Sequence, residues 1–112
     1  MNISFSDIND KVITFECEPE ENVYMGTPVK MSRPGVVTAC NDGDTLIGVA
    51  VNVRNGYAAV QLSGYIEMPT DDFFNVGYTR ICAAGDHKVK MDSTGREYLV
   101  VNVEKGIVGF ML

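Results

Sequence analysis

Apolar and polar residues alternate along much of the chain with a period of two, which is the pattern of half-buried β-strands. Eleven glycines and four prolines separate short stretches rich in Val, Ile and Tyr, and this punctuation is typical of turns between strands. The best candidate for a helix is a single turn starting near Thr70, which could equally be a loop. The predicted strands span residues 11–17, 29–31, 36–40, 47–53, 58–64, 78–83, 88–91, 98–103 and 107–112. The pattern therefore predicts an all-β fold of about nine short strands, arranged as a barrel, a sandwich or a clip-like domain.

The strongest local signal is the pair Asn55-Gly56, the preferred pair for a two-residue type I′ turn, because both turn positions need a positive φ. A turn at this pair places Arg54 opposite Tyr57 and sets the register of the two strands. The pairs that follow carry apolar or small side chains on one face: Val53 with Ala58, Val51 with Val60, Val49 with Leu62 and Ile47 with Gly64. Turn chemistry and alternation together predict a hairpin around Asn55-Gly56.

The composition is that of an ordinary globular protein, with 112 residues, 46% hydrophobic and 21% charged. It predicts a single β domain over residues 1–112, with residues 1–10 as a possible N-terminal arm. A net charge of −6 without any basic run argues against nucleic acid as a partner. No apolar run approaches the roughly 20 residues of a membrane span, so no membrane partner is expected. The cysteines, Cys17, Cys40 and Cys82, are predicted to be reduced thiols in small core positions.

A search for catalytic groups along the sequence finds no convincing constellation. His87 is the only histidine and is expected in a surface loop, because its neighbours are polar. Residues 41–44 and 92–95 resemble parts of a calcium loop and of an aspartic protease motif, but both lack the required spacing and are predicted to be turns. We therefore expect no enzyme activity, no cofactor and no bound metal. The glutamates at positions 16, 18, 20 and 21 predict a solvated loop, or alternatively a negative rim that orients a partner.

Short motifs, mostly an apolar residue followed by glycine, succeed one another over nearly the whole chain. They occupy residues 11–15, 26–29, 47–50, 58–69, 76–77, 91–95 and 108–112. Their order resembles that of a family of small phage and prophage proteins related to capsid (head) decoration proteins. The resemblance implies a β-rich, often trimeric protein that binds the major capsid protein at lattice points and reinforces the shell. It also implies synthesis in the bacterial host cytoplasm and a final location on the capsid surface of the virion.

Family members of the lambda type use an N-terminal segment for capsid contact, and the resemblance assigns that contact to Asn2, Ile3, Ser4 and Phe5. Two other functions stay open at this point. One is a different β-structured virion component, such as a tail or head-fibre module. The other is a small-ligand-binding β-barrel, which a deep pocket lined by polar groups would favour.

Three aromatic residues in a loop-rich region, Phe73, Phe74 and Tyr78, are candidates for an oligomer interface. Aromatic side chains are enriched in the cores of protein interfaces, and a homotrimer would add buried area to a small domain. The alternative is that these three side chains cover the core of the domain itself.

Overall fold

The structure, a computed structural model, describes residues 11–18 and 23–112. This part of the chain contains ten β-strands and no helix, so the all-β prediction is confirmed. The strands are β1 Lys11–Cys17, β2 Pro28–Arg33, β3 Val36–Ala39, β4 Gly48–Arg54, β5 Tyr57–Ser63, β6 Tyr65–Pro69, β7 Gly77–Gly85, β8 Lys88–Met91, β9 Arg96–Glu104 and β10 Ile107–Met111. The arm predicted at residues 1–10 lies outside the described residues.

The tenth strand is β6, whose residues follow the predicted strand 58–64 and were not predicted as a strand. Gly64 separates β5 from β6 with φ at +97°, a left-handed conformation that costs an L-residue with a side chain about 1–2 kcal/mol. The possible turn of helix near Thr70 is absent. Thr70 instead forms a parallel bridge with Val89, and a loop runs from there to β7.

The first five strands form a closed barrel in the order β1-β3-β2-β4-β5. β1 is parallel to β3, and the other neighbours are antiparallel. The predicted hairpin is confirmed: β4 and β5 are joined at Asn55 (φ 51°) and Gly56 (φ 81°), and Arg54 faces Tyr57. The first core consists of the buried residues Val23, Val29, Val37, Ala50, Ala58 and Val60.

The last five strands form a second, antiparallel sheet in the order β6-β10-β9-β7-β8. The bridge between Thr70 and Val89 brings the two edge strands of this sheet together, so the sheet curves around a core of its own. The second core consists of Leu46, Val49, Met68, Phe74, Ile81, Val89, Tyr98, Val100, Val108 and Phe110.

The predicted register of the β4–β5 hairpin is wrong beyond the three pairs nearest the turn. A β-bulge at Val51 shifts the pairing, so that Ala50 faces Val60 and Val49 faces Gln61. Because one extra residue reverses the side-chain alternation, Ala50 points into the first core and Val49 into the second. The bulge thus lets β4 supply side chains to both cores.

Polar contacts join the two sheets at the same place. Gln61 is buried, and its side-chain Nε2 donates hydrogen bonds to the backbone oxygens of Ser63 (3.1 Å) and Tyr65 (2.9 Å). The hydroxyl of Tyr98 donates to the backbone oxygen of Leu46 across the second core, at 3.4 Å. The two Gln61 bonds hold the backbone where the chain leaves the barrel and enters the second sheet, and the Tyr98 bond ties that sheet to the residue before β4.

Candidate functional site

The outer face of the second sheet carries a row of apolar side chains that crosses four strands. Both neighbours of Leu99 in β9 are buried, so Leu99 itself points away from the core. Its register partners are Tyr78 in β7 and Met111 in β10, and Met111 pairs in turn with Tyr65 in β6. We call Tyr65, Tyr78, Leu99 and Met111 the outer row. Since directly opposed residues have Cβ atoms about 5 Å apart, these side chains form one continuous apolar strip.

Tyr65 ends the outer row at the edge strand β6. Its side chain lies over Gly109, where an added Cβ would overlap the tyrosine hydroxyl, and that hydroxyl donates a 2.9 Å hydrogen bond to Glu67 Oε2. Burial, together with the hydrogen bond to the Glu67 carboxylate, raises the pKa of Tyr65 above its ordinary value. The phenol is therefore protonated at neutral pH and donates its one proton to Glu67, and Gly109 allows the ring to approach the sheet closely.

The three aromatic interface candidates occupy different environments. Phe73 is 94% exposed in the loop before β7, and Tyr78 is 71% exposed in the outer row. Phe74 is only 5% exposed and packs in the second core, so it belongs to the core rather than to an exposed surface. Val76, 67% exposed, lies between Phe73 and Tyr78 in sequence and adds to the apolar surface. The proposed capsid contacts Asn2, Ile3, Ser4 and Phe5 lie outside the described residues.

The outer face of the barrel carries a second and more polar feature, a shallow depression across β1, β5 and β4. Its lining residues are Thr14, Asn52, Arg54, Asn55, Tyr57 and Ala59. The register places Thr14, Ala59 and Asn52 side by side in one row, while Glu16, Tyr57 and Arg54 form the next. Ala59 is the smallest side chain of its row and forms the floor, beside the half-exposed ring of Tyr57.

His87 was expected in a surface loop, but the structure places it in a tight turn where it is half-buried. Asp86 (φ 49°) and His87 (φ 63°) are the two central residues of the β7–β8 turn, and residues other than glycine seldom adopt this conformation. The His87 Nδ1 lies 2.9 Å from the hydroxyl of the buried Thr27, and its ring lies 4.9 Å from that of Tyr24. His87 therefore connects the second sheet to the barrel.

The three cysteines have free thiols and occupy core or near-core positions, as the sequence predicted. Cys82 is fully buried, Cys17 packs against the first core and Cys40 against the second. Burial raises the pKa of all three thiols, in the case of Cys40 to about 12. A thiol with a raised pKa carries little thiolate at neutral pH, so none of these groups is an activated nucleophile.

Both acidic turns are turns in the structure, as predicted, and their carboxylates serve local contacts. Asp44 pairs with Lys30 at 2.6 Å, and Asp42 pairs with Lys90 at 2.8 Å. Asp92 accepts hydrogen bonds from the backbone N–H and the hydroxyl of Thr94, which lower its pKa. Within residues 11–18 and 23–112, no group of three His, Cys, Asp or Glu side chains is placed to hold a metal ion.

The acidic segment around residues 16–21 is described only in part. Glu18 accepts hydrogen bonds from Ser32 (2.7 Å) and Arg33 (3.0 Å), and these two contacts lower its pKa. Glu16 is exposed on β1 and pairs with Tyr57. Positions 20 and 21 lie outside the described residues, so the negative rim stays a prediction.

Most of the surface residues singled out by the structure were not predicted from the sequence. Of the outer row only Tyr78 was a candidate, and the depression around Tyr57 was not anticipated. Each of these residues is one exposed apolar or polar position in an alternating strand, which is an ordinary feature by itself. Strand register was the missing information, since it decides which positions lie side by side.

No family model, no curated protein and no solved structure matches the chain. No helix in the described ranges is long and apolar enough to cross a membrane.

Proposed function

We propose that the chain is a structural protein of a bacteriophage virion, a decoration subunit that binds the outside of the capsid lattice and stabilises the shell. Support comes from the order of sequence motifs that resembles head decoration proteins, and from the exposed apolar side chains of the outer row, Phe73 and Val76. In this proposal the major capsid protein is the partner, and the chain is made in the host cytoplasm before it joins the capsid surface.

The observation that carries the proposal is the strong exposure of two aromatic side chains, Phe73 in the loop before β7 and Tyr78 in the outer row. An isolated exposed apolar side chain needs no explanation. A continuous apolar strip that includes the strongly exposed Tyr78, with Phe73 also exposed in the loop that leads into the same strand, is typical of a surface that contacts another protein. Tyrosine in particular is enriched among the residues that contribute most to binding. We assign this surface to contacts with a neighbouring subunit or with the capsid.

A capsid-binding assay tests the proposal. Purified protein is mixed with expanded capsids of the phage or prophage that encodes the chain, and bound protein is measured by co-sedimentation over a range of concentrations. We expect saturable binding and a rise in the melting temperature of the capsid, because a ligand that binds only the assembled state stabilises it. Absence of both effects would rule out the decoration function.

Two sets of variants locate the contact. The double substitution Phe73→Ala and Tyr78→Ala should weaken capsid binding about tenfold or more, since removing one interface anchor commonly costs 1.4 kcal/mol or above, roughly a factor of ten. Tyr57→Ala, which removes an exposed tyrosine from the barrel instead, is the matched control and should bind normally. Normal binding by the double variant would leave the function standing but refute the assignment of this surface.

The proposal includes two further expectations that come from the resemblance. Deletion of residues 2–5 should abolish capsid binding while leaving the melting temperature of the free protein unchanged. In sedimentation-velocity experiments the protein should form a homotrimer, because a small domain gains stability from buried intersubunit area. A monomer at every concentration tested would contradict the trimer.

A further inference from the structure

We propose that the depression on the outer face of the barrel is a carbohydrate-binding subsite, in which one sugar ring stacks on Tyr57. This subsite goes beyond the capsid function and lies on a different sheet from the outer row. Its six lining residues come from β1, β4, β5 and the turn between β4 and β5.

The two rows of side chains form a platform of suitable size. Neighbouring strands lie about 4.8 Å apart, and alternate residues on a strand lie about 7 Å apart. Three strands and two rows therefore offer a surface of about 10 by 7 Å, which accommodates one pyranose ring. Tyr57 is 52% exposed, and Ala59 next to it leaves a hollow where a larger side chain would fill the space.

The chemistry of the lining groups matches a sugar. The apolar face of a pyranose packs on an aromatic ring, while its hydroxyls act as both hydrogen-bond donors and acceptors. The amides of Asn52 and Asn55 and the hydroxyl of Thr14 offer both roles around the hollow. Among the described residues, no hydrogen bond joins any of these three side chains to another residue.

The charges around Tyr57 favour a sugar over a nucleic acid. In its row Tyr57 lies between Glu16 and Arg54, which carry opposite charges, so the platform itself is close to neutral. The whole chain has a net charge of −6, which would repel a phosphate backbone. A base could stack on the same ring, but nothing in the platform offers the positive groove that single-stranded nucleic acids require.

The subsite is built on strands rather than on long loops. The backbones at Thr14, Asn52 and Ala59 pair with neighbouring strands of the barrel. The tight turn at Asn55-Gly56 fixes the backbone of Asn55. A rigid platform loses little conformational entropy on binding, which matters for a ligand with one contacting ring. We therefore expect weak binding, in the millimolar range, that is localised to these residues.

The test is a titration of ¹⁵N-labelled protein in which the amide chemical shifts are measured by NMR. The three probes are N,N′-diacetylchitobiose, maltose and lactose. At least one probe should shift amides in the segment 52–59 and at Thr14 in a saturable way, and amides of the outer row should not move. If none of the three probes shifts these amides, or if the shifts fall elsewhere, the proposal is wrong. Tighter binding of an oligothymidylate to the same residues would also overturn it, in favour of nucleic acid.

Three substitutions give the residue-level test. Tyr57→Ala should weaken binding of the active probe about tenfold, whereas Tyr57→Phe should retain most of it, because stacking does not need the hydroxyl. Ala59→Leu fills the hollow and should abolish binding, while melting temperature and circular dichroism establish that the variant is folded. Tyr78→Ala is the control and should bind as the parent does. Unchanged affinity in both Tyr57→Ala and Ala59→Leu would refute the subsite, and the capsid assay is unaffected by that outcome.

Discussion

Replacing Gly48 by alanine tests the register of β4 against β5, because a side chain at Gly48 would meet the backbone of β5 at Gln61. An added Cβ would lie 2.8 Å from Val60 Cγ1 and 3.1 Å from the backbone carbonyl carbon of Gln61, and closer still to the Gln61 oxygen. Ordinary contacts of this kind begin at 3.4 Å. A backbone carbonyl in a paired strand cannot rotate away as a side chain can, so the strands themselves must separate.

The expected cost follows from that crowding. Inserting a group into a well-packed interior commonly costs 1–3 kcal/mol, and a clash with backbone belongs at the upper end, so we expect about 3 kcal/mol for Gly48→Ala. For a domain of roughly this size, 1 kcal/mol corresponds to a fall of about 4 °C in melting temperature, so the variant should melt about 12 °C lower. The φ of Gly48 is not positive, so conformational strain does not contribute.

Urea unfolding of the parent, Gly48→Ala and Gly56→Ala measures these costs. Gly56 has φ at +81° and nothing within 4 Å of an added Cβ, so its substitution reports strain alone, about 1–2 kcal/mol. Gly48→Ala should therefore be clearly the more destabilising of the two. In the register without a bulge, Gly48 would face Ser63, which lies two residues beyond Gln61. A Gly48→Ala variant as stable as the parent would therefore refute the bulge at Val51.

The other predictions concern the turn and the thiols. Asn55→Pro and Gly56→Val should each lower the free energy of unfolding by at least about 1–2 kcal/mol, because neither replacement tolerates the positive φ observed there. Thermal unfolding measures this loss. If both variants melted like the parent, the type I′ turn would be contradicted. Burial raises the pKa of Cys40 from 9.0 to about 12, so the stability that depends on its neutral thiol is complete below pH 9 and is lost as the pH rises from 9 towards 12. In Cys40→Ser, unfolding free energies measured across that window should fall less steeply than in the parent, and an identical pH dependence would contradict the assignment to Cys40.

The sequence predicted features that local chemistry determines. Asn55-Gly56 specifies a tight turn by itself, and the three pairs next to it follow from that turn. The bulge at Val51 could not be predicted, because Val49 and Ala50 are both apolar and either one could point into the barrel. Only the presence of a second core on the other side of β4 decides that both are buried.

Two further features could not be predicted from the sequence, for related reasons. Asp86 and His87 form a turn that ordinarily contains asparagine and glycine, so the residue pair that usually marks such a turn is missing from the sequence. The outer row takes one residue from each of four strands, and these residues are up to 46 positions apart between Tyr65 and Met111. Alternation tells which side of a strand a residue occupies, but only pairing across the sheet tells which residues become neighbours.

β4 and the residues just before it link the barrel to the second sheet, because they supply side chains to both cores. Leu46 and Val49 come from the first half of the chain, yet both are buried in the second core. In the opposite direction, His87 from the second sheet contacts Thr27 in the segment that leads into β2 of the barrel. Without Leu46 and Val49 the second sheet would lose part of its buried interior, and such losses cost several kcal/mol in a domain that is stable by about 5–15 kcal/mol. The surfaces around Phe73 and Tyr57 thus lie over different cores, and these two cores are linked by the residues of β4 and by the contact between His87 and Thr27.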